Sequence, residues 1–194
     1  MTHSTRESWL VALADAMRPM LASHSLIVPV SLRVSCSWPI RGGMAKHTGS
    51  RTIGQCFDPV CSADHTSEVF VSPVLAEPLR VADVLAHELV HACLPGAKHG
   101  PKFAKAAKLI GLEGKPTATV AGPAFLEWVT PVVASLGAYP HASVDALAAR
   151  GKPQGTRMLR VTCGECGYVA RTTHKWIELA GTPLCPCSGE PMTV

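Results

Sequence analysis

Residues 87–100 read HELVHACLPGAKHG. Two histidines four apart can serve one metal ion when the segment is helical, because residues i and i+4 then share a face. That spacing predicts a helix through His87 and His91. Glu88 lies beside the pair, close enough to reach a metal-bound water without ligating the metal. Val81, Leu85, Leu89 and Ala92 form an adjoining apolar stripe that packs the helix into a domain. Pro95-Gly96 stops the helix and lets the chain reverse, which brings His99 back towards the first two histidines. Three protein ligands leave one position for water, as a catalytic zinc site requires. Glu88 then has the place of a general base. Two other readings compete: a solvated polar helix face, and a metal site without activity. A fourth protein ligand, a cysteine or histidine from residues 36–65 such as His65 or Cys61, would mark a closed and non-catalytic site. Arg51, Tyr139 and His141 are weak candidates for stabilising an oxyanion.

The flanking sequence predicts a small α+β domain. Trp9, Leu10, Leu13, Met17 and Leu21 recur at helical spacing over residues 5–21. VPVSLRVSCSW alternates as a strand should, and 51–57 and 68–72 read as two more short strands. Pro78 suits the first turn of the motif helix, expected to run to about Cys93. A second helix is expected from about His99 to Leu109. Residues 111–121 read as a loop and 123–137 as a helix. Residues 138–156 mix Pro, Gly and basic residues; a short helix near Ser143–Ala149 is one option within them. The expected division is a catalytic domain over 1–121, a helical connector over 122–155 and a small unit over 156–194.

That last unit is too short to fold on apolar burial alone and needs a staple. Four of the eight cysteines fall in it as two close pairs, Cys163/Cys166 and Cys185/Cys187. Paired short spacings without an export signal favour a metal over disulfides. The reading is a β-ribbon built on a structural, four-ligand zinc. Cys185-Pro186-Cys187 departs from the usual two-residue gap, so His174 is an alternative fourth ligand. Cys36, Cys56, Cys61 and Cys93 are scattered and read as small hydrophobes.

Charge is unevenly placed. Residues 150–176 hold six Lys/Arg and one acid, a net +5 in a chain of +4. A polyanion should meet the chain there. Arg171, Lys175 and Trp176 set cations beside an aromatic ring, a pairing suited to phosphate contact and base stacking. Lys98, Lys102, Lys105 and Lys108 line one helical face just past the motif; a solvated lysine face is the plainer reading. No apolar run approaches the length of a membrane helix, and no signal peptide is evident. The expected location is the cytoplasm.

HELVHACLPGAKHGPKF resembles the SprT-like metallopeptidases, whose eukaryotic relative is Spartan. In that family an HExxH helix is followed by a histidine in an H-G-x-x-F context, here His99 to Phe103. The gap from His91 to His99 is two residues longer than in metzincins. The C-terminal segments QGTRMLRVTCGECGY and RTTHKWIE resemble the zinc ribbon of actinobacterial or phage members. The resemblance implies a zincin-like, minigluzincin-type fold with a small mixed sheet and a C-terminal zinc ribbon. It implies a catalytic zinc on His87, His91 and His99, with Glu88 as base. It implies a hydrolase that cuts proteins bound or crosslinked to DNA; the charge pattern offers Lys102, Lys105, Arg171, Lys175 and Trp176 as the DNA contacts, and a monomer is expected. The alternative is a non-enzymatic, zinc-containing, transcription-associated protein that binds nucleic acid.

Overall fold

The computed structural model describes residues 3–40, 52–145, 148 and 158–194. These residues form a mixed α+β fold of five α-helices and three small sheets. The chain divides into two compact units, residues 1–148 and 149–194.

In the first unit, α1 (Arg6–Ser23) begins at Thr5, whose side chain accepts from the Ser8 backbone N–H while the Ser8 side chain accepts from the Thr5 N–H. Its apolar face, Trp9 to Leu21, is fully buried. Strands β1 (Leu32–Cys36), β2 (Gly54–Phe57) and β3 (Ser67–Val71) make a mixed sheet in the order β1-β3-β2. β1 runs parallel to β3, and β2 runs antiparallel to it along one edge. A short 3₁₀ turn (Pro59–Cys61) follows β2.

Helix α2 (Pro78–Cys93) carries the HELVH motif. Glu77 caps it by accepting from the N–H groups of Leu79 and Arg80, and Pro78 occupies the first turn, where a missing N–H costs nothing. The helix is buried nearly all round, as a central helix must be. It packs on β2, β3, α1, α3, α4 and a hairpin described next.

Helix α3 (Pro101–Leu109) is followed by β4 (Leu112–Lys115) and β5 (Ala118–Ala121), an antiparallel hairpin. Residues 111–121 are thus not a loop. The strands are four residues long and hold Gly114 and Pro116 between their ends, so alternation is too brief to read in sequence. Helix α4 (Pro123–Leu136) places Phe125 and Val129 in the main core and packs on α1 and α2. It belongs to the first unit rather than to a connector, because those side chains complete that unit's core. Residues 143–145 are not helical, and most of the remaining expected short helix lies outside the described residues.

In the second unit, β6 (Leu159–Thr162) and β7 (Val169–Thr172) form a hairpin around Cys163 and Cys166. Helix α5 (His174–Ala180), too short to show a period in sequence, follows. The small core holds Val161, Cys163, Cys185 and Met192, with Ala170 and Ile177 against it. No helix among the described residues is long and apolar enough to cross a membrane.

Candidate metal centres

His87 and His91 point from α2 to one place, and the turn after Cys93 delivers His99 to it. The turn is held by the Asp58 carboxylate, which accepts from the Gly96 N–H at 3.0 Å. Nε2 of His99 lies 3.2 Å from Nε2 of His87 and 3.1 Å from that of His91. Tetrahedral zinc with bonds of about 2.0–2.1 Å sets its ligand atoms about 3.3 Å apart. The three nitrogens therefore fit one small dication.

Their protonation fits as well. Burial, reinforced by the neighbouring imidazoles, pushes His87 down to about 3. Burial and His99 push His91 down to about 4, and burial lowers His99. All three rings are neutral at pH 7 and present lone pairs. His87 Nδ1 lies 2.8 Å from Thr119 Oγ1 on β5. With Nδ1–H donating to that hydroxyl, the His87 lone pair is fixed on Nε2. Phe103 of α3 is wholly buried beneath the site. Its ring stacks on His91 at 4.2 Å and 24°, and meets His87 and His99 at 4.7 and 5.1 Å. In sequence, Phe103 stands out only as part of the H-G-x-x-F pattern. Thr119 gives no signal there, because its role depends on a hairpin brought in from 32 residues away.

Glu88 is 6 % exposed and stands outside the group of ligand atoms. Burial raises its carboxyl to about 8, and the Cys56 backbone N–H that donates to it acts in the opposite sense. Gly54 explains how β2 comes so close: a Cβ there would fall 2.4 Å from Glu88 Oε1.

The histidines and Glu88 line a cleft of about 1090 Å³. Edge strand β2 forms one wall, Thr117 to Thr119 form another, and Arg80, Lys98 and Ile40 contribute from the sides. Cys61 lines the same cleft but is not in the ligand group, and His65 does neither. Tyr139 packs on Trp9 at 4.9 Å, and His141 Nε2 lies 2.8 Å from the Pro73 carbonyl oxygen. Neither borders the cleft. Arg51 is outside the described residues.

In the second unit, Sγ atoms of Cys163, Cys166 and Cys185 form another group that could hold a metal, all within 4.8 Å of one another. All four ribbon cysteines are free. Cys187 sits beside this group: its backbone N–H donates to Cys185 Sγ at 3.4 Å. His174 starts α5, exposed and outside the group. Arg171 and Lys175 are exposed, and Lys175 Nζ lies 5.7 Å from the Trp176 ring centre. Trp176 is 58 % exposed; Ile177, not Trp176, packs into the ribbon's core. In the first unit Lys98, Lys102, Lys105 and Lys108 avoid the core, and on α3 the last three lie opposite the buried face of Phe103, Ala106 and Ala107.

No family model, curated protein or solved structure matches this chain.

Proposed function

We propose that the chain is a zinc-dependent metallopeptidase of the SprT-like, zincin-type kind, acting on proteins bound or crosslinked to DNA. The observation that carries it is the convergence of three neutral Nε2 atoms beside a buried carboxylate that is not one of them. Zinc held by His87, His91 and His99 would supply Lewis acidity and lower the pKa of a water there. Glu88, whose carboxyl burial raises to about 8, would hold a proton affinity near neutrality, where a general base works best. It takes the proton as the peptide carbonyl is attacked and returns it to the leaving amine. Thr119 and Phe103 hold the imidazoles in place.

Edge strand β2 supports a polypeptide substrate. The Cys56 N–H points away from β3 to Glu88, so this edge of β2 borders the site. An extended peptide can add there through main-chain hydrogen bonds. The ribbon is read as a structural metal centre on Cys163, Cys166 and Cys185. DNA is the partner favoured by the exposed α3 lysines and by Arg171, Lys175 and Trp176.

The test uses zinc-loaded full chain and a protein crosslinked to single-stranded or duplex DNA. Cleavage is expected, and Glu88→Gln should abolish it while metal content stays at two ions per chain. His99→Ala should reduce that content to about one. Persistent cleavage by Glu88→Gln would sink the mechanism. For the DNA arm, Lys102→Glu with Lys105→Glu should lower the salt dependence of binding by roughly one unit of slope for each phosphate no longer neutralised. A closed, non-enzymatic site would need a fourth protein ligand, and Cys56 and Cys61 are the cysteines among the described residues that line the cleft. Retention of both metals and DNA binding, with no cleavage of any substrate, would favour that reading.

A further inference from the structure

The two halves of the ribbon follow one backbone pattern, but not in the register their cysteines suggest. The Cys163 N–H donates to the Tyr168 carbonyl at 2.9 Å, and the Cys185 N–H donates to the Glu190 carbonyl at 2.8 Å. The Gly167 N–H returns to the Cys163 carbonyl at 3.1 Å, and the Gly189 N–H returns to that of Cys185 at 2.8 Å. Both glycines are left-handed, at φ 71° and 76°, a conformation that favours glycine. In the first turn the N–H groups of residues 165 and 166 face Cys163 Sγ; in the second those of 187 and 188 face Cys185 Sγ. Residue 163 thus corresponds to 185, and 166 corresponds to 188.

The side chains keep this register. The Tyr168 N–H faces Cys166 Sγ, and the Glu190 N–H donates to Ser188 Oγ at 3.3 Å. Across the site, Cys166 Sγ is 3.4 Å from Cys185 Sγ, and Ser188 Oγ is 3.4 Å from Cys163 Sγ. The position that holds the fourth thiol in a symmetric ribbon holds a serine hydroxyl here. Cys187 corresponds instead to Glu165; its thiol lies beside Cys166 Sγ but does not converge with Cys163 and Cys185.

We infer that the fourth corner of the ribbon's metal site belongs to Ser188 Oγ rather than to Cys187. The inference rests on reading the ribbon as a metal centre. A neutral hydroxyl is a weaker donor than a thiolate, and the shell carries one negative charge fewer. The metal is held less tightly than by four cysteines, and one substitution can restore the difference.

The test uses the full chain with His91→Ala and His99→Ala, so that the ribbon is the site read. Cobalt(II) reports thiolate number through its charge-transfer band, and zinc affinity is measured against a chromophoric chelator. Cys187→Ser should leave band and affinity unchanged. Ser188→Ala should weaken zinc about tenfold, and Ser188→Cys should tighten it more than tenfold and raise the band by about a third, as three thiolates become four. Loss of a thiolate's share of the band in Cys187→Ser, or an unchanged affinity in Ser188→Ala, would overturn the assignment of Ser188. Cys163→Ser serves as the separate control. Metal retained in that variant, or absent from the parent, removes the ribbon metal centre itself and the inference with it.

Discussion

Thr119 Oγ1 lies 2.8 Å from His87 Nδ1, and two residues along the same strand the Ala121 N–H donates to Asp83 at 3.2 Å. Asp83 and His87 are four apart on α2, a rise of about 6 Å, and residues 119 and 121 of β5 span about 6.6 Å. The hairpin is therefore pinned to the motif helix at two matched points. Asp83, nearly buried, is also held by Arg80, whose Nη1 lies 2.7 Å from both carboxylate oxygens.

Thr119→Val keeps the shape and removes the hydroxyl. His87 then loses the partner that fixes its lone pair on Nε2. Metal affinity at the histidine site should fall about 10- to 100-fold, with secondary structure by circular dichroism unchanged. Chelator competition reads the first quantity. Unchanged affinity would show that Thr119 does not orient His87.

Gly54→Ala puts a Cβ 2.4 Å from Glu88 Oε1 and 2.7 Å from Val84 Cγ1. Strand β2 must shift, which costs about 1–3 kcal/mol. Urea unfolding measures the cost. Hydrolysis should fall more steeply than stability, since the displaced group is the proposed base.

The metal-free chain has a pH profile set by the site. His87 and His91 fall from 6.5 to about 3 and about 4 on folding, so the unfolded chain binds more protons below pH 6.5 and stability drops as pH falls through that range. Glu88 rises from 4.5 to about 8, so the folded chain binds more protons between those values and stability drops as pH climbs towards 8. With two histidines against one carboxyl in the acid range, stability should peak near about pH 6.5. Urea midpoints across pH in chelator check this. Glu88→Gln should flatten the fall between about pH 6.5 and 8 while keeping the acid limb; an identical profile would refute the buried-carboxyl account.

Phe103→Leu keeps the site's floor apolar but removes the ring stacked on His91. Its stability cost should stay under about 1.5 kcal/mol, while metal affinity falls measurably. Calorimetric unfolding and chelator competition separate the two effects.

Much of the first unit is legible in sequence because its elements are long or strongly patterned. The bounds of α2 follow from Pro78 and the Pro95-Gly96 stop, and the buried face of α1 from its apolar spacing. The β4–β5 hairpin and α5 are not legible, since four-residue strands and a seven-residue helix show too few periods. Helix α4 reads as a helix, but its place in the core depends on partners far along the chain, such as Trp9, whose Nε1–H donates to the Gly137 carbonyl.

Local spacing alone settles which residues can meet on one helix face: His87 and His91, with Glu88 beside them and His99 within reach of a turn. It suffices because the backbone fixes helix geometry whatever the rest of the chain does. That β2 passes close enough to bury Glu88, that Thr119 arrives to orient His87, and that Ser188 rather than Cys187 faces Cys163 are matters of the folded chain. Each depends on close approach between separate segments, which packing and hydrogen bonding settle and sequence spacing does not encode.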